Sequence, residues 1–335
     1  MRIATYNVEW FSSLFDNDNR LMPDSEWSAR YNVTRADQAD SLGIVFSAMD
    51  ADAVMIIEAP DSNRRRSTAE ALEDFAAYYG LRTRAAVMGF RNETQQEIAM
   101  LYDPDRMSAV HAPRAGQGDI PRFDGVFEID LDIDATKDHV VFSKPPLELS
   151  VSTAEGFAFQ MIGAHLKSKA PHGARGQAQV MKLAIANRRK QLAQAIWLRA
   201  RIDQHRAAGT PLMVLGDLND GPGLDEYEDL FGRSSVEIVM GEGGAAPLFD
   251  PHAHMALSRK LGPMPTTARF WIRPENRYLQ ALLDYILVSP DLRERGAKWR
   301  IWHPLDDPAC WKKPELRDAL VIASDHFPVT LDLEI

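Results

Sequence analysis

The residues able to do chemistry stand inside or at the ends of strongly apolar runs. Asp284 lies within Leu-Leu-Asp-Tyr-Ile-Leu-Val at 282–288. An unpartnered carboxylate buried in such a run would cost several kcal/mol, so it requires a partner or a metal ion. Glu58 and Asp217 each follow four or more apolar or small residues, a spacing that predicts strand C-termini. Asp217 and Asn219 are two apart and would share one face if the strand ran on. Asp325 and His326 are neighbours, and both reach one pocket only where the chain turns. The plainer reading of each residue taken alone is that it opens a loop.

The elements needed to position these residues are visible as short apolar runs. They cover 3–8, 53–57 leading into Glu58, 98–102 after Glu97, 157–164 leading into His165, and 212–216 leading into Asp217. The run 282–288 follows, then 321–323 ahead of Asp325 and His326, and a last strand over 328–333. Runs of this length, rich in β-branched and aliphatic residues, read as buried strands. Helices are expected over 34–49, over 67–79 with Ser67 and Glu70 in capping-box spacing, and over 177–205. In the last, Leu192, Ala195, Ile196 and Ile202 share one face at helical spacing. Between 81 and 164 strands succeed one another without a helix, which favours two partly antiparallel sheets packed together with helices outside. Segments 12–33 and 241–265 read as loop insertions, and His252 and His254 in the second as surface residues rather than a metal pair.

With 335 residues, 45% hydrophobic and 26% charged, and no internal repeat, the chain reads as one continuous globular domain spanning 1–335. Its formal charge of -10 argues against broad non-specific binding of nucleic acid, though acidic metal ligands would contribute to that figure. Cys310 is the sole cysteine, so no intrachain disulfide forms. No apolar run approaches the ~20 residues that span a bilayer, and no signal-peptide pattern opens the chain; a cytoplasmic protein is expected.

Six segments occur in a telling order: Ala-Thr-Tyr-Asn-Val-Glu-Trp at 4–10, Ile-Ile-Glu-Ala at 56–59, Gly-Ala-His-Leu-Lys-Ser-Lys at 163–169, Gly-Asp-Leu-Asn-Asp at 216–220, Leu-Asp-Tyr-Ile-Leu-Val-Ser at 283–289 and Ser-Asp-His-Phe-Pro-Val at 324–329. The series resembles the endonuclease/exonuclease/phosphatase superfamily from residue 2 to about 333, nearest its bacterial nuclease-like members and the pancreatic-type deoxyribonuclease branch. The resemblance implies a four-layer α/β/β/α sandwich with two packed mixed sheets. It implies that Asn7, Glu58 and Asp325 supply oxygen ligands to Mg²⁺ or Mn²⁺, and that Asp217 and Asn219 position water and phosphate, with Asp217 also able to help a second metal. His326 would be oriented by Asp284, and His165 supported by Glu97; which histidine is acid and which base stays open. Such a set suits phosphate esters, whose charge a cation offsets and whose attacking water needs a base near neutral pH.

Further residues carry weaker signals. Lys167 is expected near the phosphate and Lys169 less so, while Arg64, Arg65, Arg66, Arg188, Arg189 and Lys190 read as solvated faces. Trp271 and Trp302 read as core or rim residues that could also stack a base. AP endonucleases usually lack a histidine where His165 stands, and inositol-polyphosphate phosphatases carry Trp-Cys-Asp-Arg where this chain has Leu-Leu-Asp-Tyr. Secreted sphingomyelinases carry an exposed aromatic hairpin and a signal peptide, neither of which is clear here. The expectation is therefore a metal-dependent phosphodiesterase acting on DNA, RNA or nucleotides. A lipid or small-molecule phosphoesterase, and a non-catalytic binding protein on the same fold, are the alternatives.

Overall fold

The computed structural model describes every residue except 95, 132–136, 172, 223–231, 242–243, 245, 259–263 and 273–275. Its strands are β1 (Arg2–Asn7), β2 (Ala53–Ala59), β3 (Ala85–Met88), β4 (Glu97–Tyr102), β5 (Met107–His111), β6 (Phe127–Ile129), β7 (Asp138–Val140), β8 (Leu147–Thr153), β9 (Ala158–His165), β10 (Leu212–Asp217), β11 (Ala268–Ile272), β12 (Arg277–Ala281), β13 (Asp284–Val288), β14 (Lys298–Ile301) and β15 (Val329–Asp332). The helices are α1 (Arg35–Met49), α2 (Thr68–Tyr78), α3 (Gln177–Ala207), α4 (Ser235–Met240), α5 (Pro251–Leu257), α6 (Pro290–Arg293), α7 (Pro308–Trp311) and α8 (Pro314–Ala323). One sheet runs β14-β15-β1-β2-β4-β3 and a second runs β13-β10-β9-β8-β5. Both mix parallel and antiparallel neighbours.

The side-chain alternation of the strands creates the layers. Ile3, Met55, Ile57 and Met100 from the first sheet meet Leu149, Met161, Met213 and Ile286 from the second in a shared inner core. The opposite face of the first sheet, with Tyr6, Val54, Ile56 and Leu101, is covered by Leu42 and Phe46 of α1, Phe75 of α2 and Leu320 of α8. The outer face of the second, with Ile162, Val214 and Leu287, is covered by Trp197, Leu198 and Ile202 of α3 and by Val236 of α4. This is the expected α/β/β/α sandwich. Gly163 allows the two sheets to approach: a Cβ there would stand 2.4 Å from Sδ of Met55.

Two expectations are corrected by the fold, and the 12–33 loop is anchored rather than loose. Residues 321–323 are the end of α8, not a strand; Leu316, Ala319, Leu320 and Ala323 are buried at helical spacing behind an N-terminal proline. The segment 241–265 contains α5, capped by the buried Asp250 carboxylate, which accepts from the backbone of His252 and Ala253; its residues 242–243, 245 and 259–263 lie outside the described residues. The segment 12–33 is tied down: the Arg66 guanidinium donates to Ser12 O, Ser12 Oγ, Asp61 and Phe15 O. Among the described residues, no helix is long and apolar enough to cross a membrane.

Candidate active site

Register alone gathers half of the site. Asp217 pairs with His165 on one side and with Asp284 on the other, so three adjoining strands of the second sheet present His165, Asp217 and Asp284 at one edge. Gly216 is required just before Asp217. Its φ is 134°, and a Cβ there would lie 2.1 Å from the carbonyl oxygen of Ala164, a contact no side chain tolerates. The strand stops at Asp217 and Asn219 turns into the left-handed region at φ 50°, so the two do not share a strand face. Asn219 instead folds back: its backbone N–H donates to Oδ1 of Asp217 at 2.7 Å and its amide to Oδ2 at 3.1 Å.

The first sheet supplies the facing half. Asn7 ends β1 beside Ile57 of β2, and its amide donates across the sheet boundary to Oδ2 of Asp217 at 3.0 Å. Glu58 follows at a β-bulge between Ile57 and Ala59, with φ 62°. A non-glycine residue in that conformation costs on the order of 1–3 kcal/mol and is kept where the surroundings over-determine it. Gln96 holds one Glu58 oxygen at 2.5 Å. Ser324 ties the Asp325 turn to β1 by donating to Asn7 O at 2.8 Å. His326 lies with Nδ1 2.7 Å from Oδ2 of Asp284, both side chains almost wholly buried, as the sequence led us to expect.

Asn7, Glu58 and Asp325 fit a hard cation. Oδ1 of Asn7 is buried with no hydrogen-bond partner among the described residues, a state buried polar atoms avoid unless something else binds them. Burial raises the pKa of Glu58; Lys144 and His326 pull it down, while Asp325 and Asp284 push it up, so the Asp325 charge is felt at Glu58. A second grouping, with one ligand atom each from Asp217, Asp284 and His326 within 4.8 Å of one another, is largely committed to internal hydrogen bonds. Among the described residues, Oδ1 of Asp284 is buried there without a hydrogen-bond partner.

The pairing of His165 with Glu97 is not found. His165 has Nε2 3.6 Å from Oδ2 of Asp217 and Nδ1 3.2 Å from Nζ of Lys144. Glu97 accepts from the side chain of Asn92 at 2.6 Å and from its backbone, which closes the 92–97 loop around it. Lys144 escaped the sequence reading. It sits in a Pro-rich segment without a strand's alternation, and only the fold brings its Nζ within 3.8 Å of Glu58. Lys167 adds positive charge around the His165 ring. Lys169 turns aside to the buried Asp220 at 2.8 Å, and Arg188, expected on a solvated face, is buried against the same carboxylate at 2.9 Å. Trp302 is core, with its indole N–H on Thr330.

The family model described as Endonuclease/Exonuclease/phosphatase family matches residues 4–326. The chain belongs to that family. Its members are phosphoester hydrolases, typically dependent on a divalent metal. Three solved structures share the fold: an AP endonuclease from Archaeoglobus fulgidus (12% identical, 100% of both chains, TM-score 0.51), a 3'-5' exonuclease from Neisseria meningitidis (14% identical, 100% of both chains, TM-score 0.50) and truncated TDP2 from Caenorhabditis elegans (13% identical, 98% of this chain and 96% of that one, TM-score 0.50). No curated protein matches the sequence.

In this endonuclease/exonuclease/phosphatase chain the two histidines are driven apart electrostatically. Burial opposes charge on His326, but the Asp284 carboxylate, with Asp217 and Asp325 behind it, outweighs that and raises its pKa well above the usual imidazole value. Burial together with Lys144, His326 and Lys167 pushes His165 well below it. Burial, reinforced by Asp284, lifts the Asp217 carboxyl to about 7 although His326 pulls the other way. Burial lowers Lys144 in spite of Glu58 and Asp217. Environments that separate pKa values in this way assign acid and base roles within a site.

Proposed function

We propose that the protein hydrolyses phosphodiester bonds of nucleic acids or nucleotides with Mg²⁺ or Mn²⁺ held by Asn7, Glu58 and Asp325. The observation that carries this reading is the strand register that aligns His165, Asp217 and Asp284, opposite an Asn7 whose amide bonds Asp217 and whose oxygen is free for a cation. The cation, when bound, neutralises phosphate charge and stabilises the oxyanions of the transition state.

The protein's own groups do the rest. Asp217, titrating near neutrality and oriented by Asn7 and Asn219, takes the proton of the attacking water. His326, kept charged by Asp284, stabilises the negative charge that grows on phosphorus-bound oxygen. His165, neutral and next to Lys144, offers a hydrogen bond to the phosphate or leaving oxygen, and Lys144 and Lys167 add positive charge on that side. Asp284 Oδ1 and Asp217 are the groups able to take part in a second cation site.

A panel of plasmid, single-stranded DNA, RNA, bis-p-nitrophenyl phosphate and sphingomyelin, each with Mg²⁺ and with Mn²⁺, tests the reading. Turnover of the nucleic acids above the lipid is the expected result. The net charge of -10 favours the second reading, a phosphoesterase of small molecules or lipids, and preference for sphingomyelin or for bis-p-nitrophenyl phosphate alone would replace the first by it.

A further inference from the structure

We propose that the indole of Trp10 is the stacking surface for the nucleobase next to the scissile phosphate; the inference deepens the nucleotide reading above and rests on it. Trp10 is three residues beyond Asn7, so its Cα lies at most ~11 Å from that ligand residue, within the reach of a nucleotide whose phosphate occupies the site. The residue is 48% exposed. It takes up the left-handed conformation at φ 59° and ψ 25°, which bulky residues avoid and which is retained where function or surroundings require it.

The ring is held in place. Nε1 donates to Oε1 of Glu9 at 2.9 Å, and the other Glu9 oxygen is taken by Arg30 from the 12–33 segment. The Glu9 backbone N–H bonds Ser324 Oγ at 3.1 Å, the same hydroxyl that donates to Asn7 O. Ser13 donates to Trp10 O from both its backbone and its hydroxyl. The indole is thus fixed relative to Asn7 and the Asp325 turn, with its one polar group satisfied.

Among the described residues, no aromatic ring or guanidinium lies against the faces of this indole. Of the seven tryptophans, Trp197, Trp271, Trp299, Trp302 and Trp311 each have an aromatic ring or a guanidinium against them. Trp10 has neither among the described residues, and Trp27, which shares that property, has no bond fixing its indole. A rigid, exposed aromatic face beside a phosphate site is what base stacking uses, and stacking needs no hydrogen-bonding edge. A lipid surface would call for a cluster of inserted aliphatic residues, not one indole tethered by its N–H.

The test titrates adenosine 5′-monophosphate and inorganic phosphate, both in Mn²⁺, into the wild-type protein, Trp10→Gly and Trp10→Phe by calorimetry. Glycine accepts the backbone conformation at this position without strain, so the variant keeps the fold. Trp10→Gly is expected to weaken the nucleotide about tenfold (~1.4 kcal/mol) and leave phosphate unchanged, with Trp10→Phe in between. The inference is overturned if Trp10→Gly binds the nucleotide as well as wild type, if phosphate weakens equally, or if wild type binds the nucleotide no better than phosphate. Loss of nucleotide affinity in a protein that hydrolyses none of the panel would remove the proposed function and leave the stacking surface standing.

Discussion

Nδ1 of His326 is bound to Oδ2 of Asp284 at 2.7 Å across 42 residues of sequence, which leaves Nε2 as the ring atom for substrate in the proposed mechanism. Replacing His326 by alanine is expected to lower kcat about 10²- to 10⁴-fold, the range typical for a positioned acid–base group. Asp284→Asn should follow it, because the imidazole loses the charge that keeps it protonated. Circular dichroism and Mn²⁺ titration check that fold and metal affinity persist; near-normal turnover in either variant at saturating metal would refute the role.

Chelation gives a second outcome. EDTA should abolish hydrolysis, with Mg²⁺ or Mn²⁺ restoring it. Because a ligand that binds only the folded state raises its stability, Mn²⁺ should also raise the Tm. Glu58→Gln and Asn7→Ala are expected to shrink that rise and to move the metal requirement at least tenfold higher. A Tm response as large as that of wild type in both variants would place the cation elsewhere.

Asp220 is fully buried between Lys169 and Arg188 and accepts from the backbone of Val236 at 3.3 Å. Asp220→Ala removes the buried carboxylate that Arg188 and Lys169 share, a change that costs about 3–5 kcal/mol in buried pairs. Urea denaturation should register it as a lower midpoint. Pairing it with Arg188→Met should recover part of the loss, and no recovery would mean that the arginine is not the source of the cost.

The pH dependence has two arms. Asp52 is partly desolvated, yet the Arg2 backbone N–H and the Arg82 guanidinium hold its pKa below the ordinary carboxylate value. Its stabilisation is complete above about 4 and is lost as pH falls through the lowered value. Asp217 runs the other way, with its folded pKa near 7. Its contribution is complete below about 4 and is lost as pH rises through 7. Metal-free protein should therefore lose Tm between about pH 4 and 7, and Asp217→Asn should flatten that slope while removing activity. A slope unchanged by the substitution would assign it to other groups.

Much of this was legible in the sequence, for a definable reason. A buried strand announces itself by composition and length, and a carboxylate at its end is conspicuous against apolar neighbours; hence Glu58, Asp217, Asp284 and the two sheets. Partnerships between loops leave no such trace. Lys144 reaches Glu58 and His165 from an irregular segment, and nothing local distinguishes it from a solvated lysine. Glu97 stood at the right strand end but closes onto Asn92, only five residues away. Arg188 looked solvated because its partner Asp220 lies 32 residues on. The run 321–323 was too short to carry a period of its own, and the helical pattern appears only with Leu316 and Ala319.

Gly163 sits where Met55 of the opposing sheet presses closest, two residues before His165. The proposed reacting groups are divided between the two sheets, Asn7 and Glu58 on one, His165, Asp217 and Asp284 on the other. Turnover is therefore a gauge of how the halves are seated. A methyl group added at residue 163 would have to displace the end of Met55 and crowd Ile98, and is expected to lower turnover with every one of those side chains still present.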